Sequence, residues 1–433
     1  MRQLRLTMLP RAMPNPRALL KVGADLGQDA TYIFWGLLLW DFAVGLYASF
    51  WTIYIESLRA APFLVGLLIG GQSIIRISMS LPAGIIADRF SRRRLILITC
   101  WIGVPASLIY GLAQVWWQLI PGLILMALTN FSLPALSSYI ADAVPPRERA
   151  RAFTLIYTTG PSIAFIISPI IGGILGEAFS LRLLFFITAL MFLATTFVFS
   201  HISDRPHAAH EGPKASYREA ISVPSVRMMC ILQFIVLGVL AIGITLLPNF
   251  LQDVHHLNIG EIGRLGAIAP VGSILLSTAI SRIRWFSLNR GIALATLSIG
   301  TICAVSLLTG NIWLLSLFYL TRGGFMVASS LFTAATGDLA PERLRGRSFA
   351  LADFMGGAGF GLAPFAAGAL YAIRPGVPLF VTAAAAPFLV LLILWVEQRY
   401  VAPVLQARLE PAPHPAPTIP AADVETVGSQ ETV

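Results

Sequence analysis

Gly84-Ile85-Ile86-Ala87-Asp88-Arg89-Phe90-Ser91-Arg92-Arg93-Arg94 joins two apolar runs, residues 63–87 and 95–113, each long enough to cross a bilayer. Helical spacing through this stretch stacks Gly84, Asp88 and Arg92 on one face, because residues four apart lie one above the other. A glycine on that face lets a second helix come close, as small residues do at membrane helix contacts. The charged groups fall just beyond the hydrocarbon. A basic turn between spans is common, but a glycine and an acid at helical spacing before it make a much more particular pattern.

The rest of the chain has the same character. Of its 433 residues, 56% are hydrophobic and 12% charged, with a mean hydropathy of +0.77. Soluble domains carry about twice that share of charge. Repeated apolar runs of this length make the chain a polytopic helical membrane protein. Twelve spans are expected, at about 32–55, 63–87, 95–113, 116–140, 152–177, 183–201, 225–251, 259–281, 291–309, 312–337, 348–372 and 376–398. A basic lead (1–30) precedes them, a linker (202–224) divides them, and a Pro- and Ala-rich tail (399–433), expected to be disordered, follows.

The net charge of +9 would suit a nucleic-acid partner were it spread evenly. Instead, with the N-terminus inside, 24 of the 30 Lys and Arg fall on cytoplasmic segments, and Arg59, Arg182 and Arg374 alone on outer loops. This positive-inside pattern puts both termini in the cytoplasm. The basic charge then reports topology and contact with the lipid bilayer, and no nucleic acid is expected. Cys100, Cys230 and Cys303 lie singly inside apolar runs, a spacing that offers neither a disulfide frame nor a metal site. His201, His207 and His210 near the linker lack companion ligands, so no metal is expected there either. No phosphate-binding Gly-x-x-x-x-Gly-Lys-Ser/Thr run occurs, which argues against ATP hydrolysis. The inner spans hold too few His, Asp and Glu for a catalytic set, so no enzyme is expected.

An internal repeat ties the halves together. Asp142 with Pro145, Arg147, Arg149 and Arg151 reappears 196 residues later as Asp338 with Pro341, Arg343, Arg345 and Arg347. Phe153 and Leu155 then meet Phe349 and Leu351. With the Gly84–Arg94 stretch, this order resembles the major facilitator superfamily, whose helix 2–3 signature it matches except at Ser91, a glycine position in the family. The resemblance implies an all-α membrane protein with twelve transmembrane helices in two pseudo-symmetric six-helix bundles, residues 31–201 and 225–398. It implies a gate formed by Gly84, Asp88, Arg89, Arg92, Arg93 and Asp142, with Asp88 near the start of helix 11 at 348–350 and Arg92 close to Asp142. Gly160-Pro161 and Ser168-Pro169-Ile170-Ile171-Gly172-Gly173 are similar to the family's helix 5 antiporter motif. Gly122, however, stands where proton-linked drug antiporters often carry an arginine.

Ionisable groups inside the membrane are costly and mark pathways. Asp41, Arg76 and Arg322 are therefore the leading candidates for coupling or substrate contact, with Asn130 and Gln233 as polar companions alongside Gln72, Ser73 and Thr129. Asp41 and Arg76 lie at similar depth, about 15 Å from the inner end at the helical rise, and pairing between them would leave Arg322 in need of an anion. The expected function is secondary active transport of small organic molecules by alternating access, as proton-coupled export of drugs or metabolites, with organic-anion uptake or exchange and a non-transporting sensor as alternatives. No cofactor beyond a proton gradient is implied. A monomer in a bacterial inner membrane is the expected setting.

Overall fold

The computed structural model describes residues 27–89, 91–145, 147–204, 217–282 and 287–404, with backbone alone for 80–89, 134 and 150. The expectations for most of the lead, most of the linker and most of the tail fall outside these residues, but 399–404, expected to be disordered, continue the last helix. Twelve helices are long and apolar enough to span a membrane among the described residues. In chain order they are α1 (Gln28–Ala48), α2 (Pro62–Arg89), α3 (Arg92–Leu112), α4 (Trp116–Ala143), α5 (Arg151–Ala178), α6 (Leu181–Phe199), α7 (Pro224–Asp253), α8 (Ile259–Arg282), α9 (Leu288–Leu308), α10 (Ile312–Leu339), α11 (Glu342–Ile373) and α12 (Val377–Val404). A short helix, Trp51–Ser57, extends α1 after a break at Ser49 and Phe50. The end of the molecule that carries the arginine-rich turns is called the basic end below, the other the far end.

The 196-residue shift holds throughout the fold. It carries Gln28 onto Pro224, Trp51–Ser57 onto the terminal helix Leu247–Asp253 of α7, and α3 onto α9 end to end. It also carries Trp116–Ala143 onto Ile312–Leu339. The two halves thus share one frame without net insertion through these elements. Trp117 and Trp313, equivalent under the shift, are both exposed at the far end, where indole rings suit the membrane interface.

The turn after α2 departs from the expected geometry. α2 ends at Arg89, and Ser91 adopts extended backbone at φ −60°, ψ 129° before Arg92 opens α3. Gly84, Asp88 and Arg92 therefore do not share one helical face. The break has a local cause: the Ser91 hydroxyl accepts from the Arg94 N–H at 3.3 Å and caps α3. Ser287, its equivalent, caps α9 through the Arg290 N–H at 3.2 Å. A serine at the family's glycine position is here a helix cap used twice.

The halves meet along two seams of small residues. On one, α2 lies against α11: a methyl group added at Gly66 would sit 2.9 Å from the Cα of Gly368. On the other, α5 lies against α8, and a methyl at Gly263 would sit 3.0 Å from the Cα of Gly173. Backbones this close need glycine, because any Cβ would meet main chain rather than a side chain that can swing away. The neighbouring Gly172 faces a different helix, α1, at Leu46, so the paired glycines of α5 serve two contacts at once. A π-turn over Leu155–Thr159 precedes Gly160-Pro161 within α5.

Candidate functional site

A cavity of about 300 Å³ lies mainly on the N-terminal half. α1 contributes Trp40, Val44 and Tyr47, with Trp51 from its extension; α2 contributes Ile69, Gln72, Ser73 and Arg76. α4 supplies Met126, Ala127, Thr129 and Asn130, and α11 closes the wall with Phe360. The polar groups come from α2 and α4 because those helices present Gln72, Ser73 and Arg76 at i, i+1 and i+4, and break into a 3₁₀ turn at Thr129–Phe131. Asn130 donates to the carbonyl of Ala127 at 3.2 Å, and Ser73 to Ile69 at 2.9 Å, so both also satisfy their own helices. Trp40 stacks on Phe192 at 3.9 Å and 17°, and Trp51 leans on Tyr110 at 4.7 Å, which fixes both indoles.

The structure brings Arg76 and Asn130 to this cavity but separates the other candidates from it. Asp41, half-buried, lies one turn beyond Val44 towards the basic end, and no ion pair or hydrogen bond joins it to Arg76 among the described residues. The expected pair is thus replaced by two separate charges. The reason is angular: α2 turns Arg76 towards α1 at Trp40, Val44 and Tyr47, whereas Asp41 is on the side of α1 adjoining Gly45, which packs on Ser168 of α5. Arg322 falls in a 3₁₀ turn of α10, Leu320–Gly323, with its guanidinium carbon 5.5 Å from the centre of the Tyr319 ring and its Nε buried without a partner. Gln233 is 1% exposed inside the C-terminal half, beside Gly356 of α11.

At the basic end, the residues expected at the gate divide into two groups. Gly84, Asp88 and Arg89 lie on the last turns of α2, where backbone alone is described, so the contact of Asp88 with 348–350 lies outside the described side chains. Arg92 forms an ion pair with Asp142 and donates to the Ser138 carbonyl at 3.3 Å. Arg93 donates to the Ser200 carbonyl at 2.6 Å. Beside them, buried Asp29 accepts from the Tyr139 hydroxyl and from the backbone and side chain of Ser203, each at 3.0 Å. α1, α3, α4 and α6 are tied together at this end by charge and hydrogen bonds. The linker helix Tyr217–Ser222 docks on the other half, through Glu219 to Arg343 at 3.1 Å and Tyr217 under Arg347 at 4.6 Å.

Several groups escaped the sequence reading. At the far end, Glu177 of α5 accepts from the Gly260 N–H in the first turn of α8 at 3.0 Å, a carboxylate at a helix N-terminus contributed by the opposite half. Glu56 accepts from the Asn249 amide of α7 across the same divide. Asp253 accepts from Tyr371 at 2.6 Å, within the C-terminal half. Asp353 of α11, beside the Thr333 hydroxyl of α10, shares a helical face with Phe360, two turns away. Asp353 was legible as an acid within a predicted span. The partners of Glu56 and Glu177 depend on helix pairing between halves, which no local pattern encodes. At Gly122, an added methyl would meet the Tyr110 ring at 2.7 Å, so the position is filled by an aromatic ring where an arginine would need space.

The model of the Major Facilitator Superfamily matches residues 33–364. A Na(+), Li(+), K(+)/H(+) antiporter of Planococcus maritimus is 31% identical over 147 residues, 31% of this chain and 34% of the relative. The multidrug resistance protein MdtG of Enterobacter lignolyticus is 29% identical over 167 residues, 37% of this chain and 40% of the relative. The chain thus matches about a third to two fifths of the length of these relatives. Among solved structures, the nucleoside transporter NupG superposes with a TM-score of 0.71 at 14% identity, covering 84% of this chain and 99% of that one, a likeness of fold. The two half-molecules in a single register, the glycine seams between them and the family match over most of the chain agree: this protein belongs to the major facilitator superfamily.

Proposed function

We propose that the protein exports small organic molecules by alternating access, driven by exchange for protons, as a monomer in a bacterial plasma membrane with both termini in the cytoplasm. The observation that carries this reading is the placement of the cavity. It lies between two bundles that touch through glycine seams, with Phe360 of the C-terminal half completing a wall built by the N-terminal half. A site enclosed jointly by two rigid bodies changes its access when the bodies rock. Two membrane-embedded carboxylates, Asp41 on α1 and Asp353 on α11, stand towards the basic end of the cavity, one on each half, where a carboxylate can carry a proton. The likeness to a cation/proton antiporter and to a multidrug resistance protein supports exchange and export.

The test is reconstitution into liposomes with an imposed proton gradient, a pH-sensitive dye inside and a panel of labelled compounds. Substrate flux should release protons from the gradient, and Asp41→Asn should uncouple the two while leaving substrate exchange measurable. Flux indifferent to collapse of the gradient would contradict proton coupling.

A further inference from the structure

We propose that the cavity selects monoanionic carboxylates carried on a planar apolar body, an inference that rests on this cavity being the substrate site. Arg76 is the one charged residue that lines it among the described residues. No carboxylate lines the same wall, and Asp41, the acid one turn beyond on α1, does not pair with it. A guanidinium held within a membrane without a counter-charge is unfavourable, and a ligand carboxylate satisfies it through two parallel N–H···O bonds.

The remaining polar groups narrow the class. Ser73 and Asn130 already donate to carbonyls of their own helices, at 2.9 Å to Ile69 and 3.2 Å to Ala127. Gln72, one helical turn before Arg76, is the amide left to assist the anion. On this polar wall Arg76 and Gln72 together fit one small acidic group, and the Tyr47 hydroxyl and the indole N–H groups of Trp40 and Trp51 are further donors on the aromatic side. A sugar or nucleoside would bury many hydroxyls and leave most without partners. A phosphate dianion would call for a second cation, and Arg322 is placed over Tyr319 instead.

The apolar part of the ligand follows from the walls. Trp40, Tyr47, Trp51 and Phe360 supply aromatic rings, of which Trp40 is held by stacking on Phe192 and Trp51 by a tilted contact with Tyr110. Such faces also attract organic cations, but Arg76 in the same cavity repels them. About 300 Å³ is at the small end for ligand pockets and suits one or two rings.

The experiment uses the full-length protein in nanodiscs and three probes of one shape, 4-phenylbutyrate, 4-phenylbutylammonium and 4-phenylbutanol, with octanoate as the lipid-like carboxylate. Binding is read by calorimetry and by quenching of tryptophan fluorescence. We expect 4-phenylbutyrate to bind at least tenfold more tightly than the ammonium and more tightly than octanoate. Arg76→Gln should cut the carboxylate affinity at least tenfold and change the alcohol less than threefold. The wild-type series and Gln72→Ala keep the test decisive if Arg76→Gln fails to fold. An ammonium that binds as well as the carboxylate, or a carboxylate preference unchanged in Arg76→Gln, overturns the anion site; octanoate binding as tightly as 4-phenylbutyrate overturns the planar body. In proteoliposomes the two readings separate. Flux of a cationic or neutral compound without carboxylate selectivity removes the substrate class and leaves transport standing. Selective carboxylate binding with no flux of any compound removes transport and leaves the anion site.

Discussion

The two halves of this protein share a frame and differ in chemistry. Under the 196-residue shift the cavity residues Trp40, Gln72, Ser73, Arg76, Thr129 and Asn130 correspond to Val236, Ile268, Ala269, Gly272, Phe325 and Met326. In each case a polar or aromatic group on the N-terminal half has an apolar counterpart. Met126 reverses the pattern, with Arg322 as its equivalent. Gly272 has its own explanation, since an added methyl would meet the main chain of Leu320 on α10. At this position the second half therefore places the main chain of α10 where the first half has the Arg76 side chain. Duplication supplies the scaffold, and divergence at about a dozen positions supplies the site.

The largest expected effect comes from removing this difference at its most charged point. Arg76→Gln should lower transport by roughly tenfold to a hundredfold, the range for a charge-assisted hydrogen bond of about 1.5–3 kcal/mol. Arg322→Gln, the counterpart of a methionine, should lower thermal stability and leave substrate affinity within a factor of about two. Equal losses of affinity in the two variants would show that both halves bind substrate.

Next come the seams. Gly263→Val or Gly66→Val forces a side chain against main chain, an overpacking that costs about 1–3 kcal/mol. Since the added bulk lies between the bundles, the variants should populate the state with the far end parted, which thiol-reactive probes at far-end cysteines would detect. Unchanged labelling would mean that the seams tolerate the added volume.

Smaller still are the electrostatic latches at the far end. Glu177→Gln removes a carboxylate from the N-terminus of α8, an effect of about 0.3–1 kcal/mol. Glu56 adds a pH dependence. Burial raises its carboxyl above the ordinary range, the Asn249 amide opposes this, and Asp253 adds repulsion that raises it further. A raised value in the sealed state means that its contribution is fully present below the ordinary carboxylate range and declines as pH rises through the raised value. Acid should therefore favour the sealed far end, and Glu56→Gln should abolish that part of the pH response in the same labelling assay. The smallest contrast tests the shared frame itself. Ser91→Ala and Ser287→Ala each remove one cap of about 1 kcal/mol, and their shifts in melting temperature should agree within error.

Much of this organisation was legible in the sequence. Spans are decided by composition along single helices, so apolar runs located all twelve to within a few residues at most ends, and the Asp142/Asp338 pattern fixed a register that the entire fold obeys. α1 was the exception in shape, because the break at Ser49 and Phe50 lies inside one continuous apolar run. The site was legible in part. Depth along a helix placed Arg76 in the membrane, but the direction in which it points depends on how α2 rotates against α1 and α4. Spacing gives depth without azimuth, so the pairing of Asp41 with Arg76 does not form, and Arg322 lies over Tyr319 outside the lining of the described cavity. For the same reason the contacts of Glu56 and Glu177 with the opposite half had no signature in either partner alone.

The central claim is that two rigid halves rock about a shared cavity, and equivalent positions give a direct measure of it. Leu112 and Leu308 mark the far ends of α3 and α9, Arg94 and Arg290 their basic ends, and all four are exposed. Spin labels on each pair, in a background lacking the buried Cys100, Cys230 and Cys303, report the separation of the halves at either end by pulsed electron resonance. Glu177→Gln combined with Gly263→Val should lengthen the Leu112–Leu308 distance and shorten the Arg94–Arg290 distance together. Distances that change in the same direction, or at one end alone, would contradict rigid rocking.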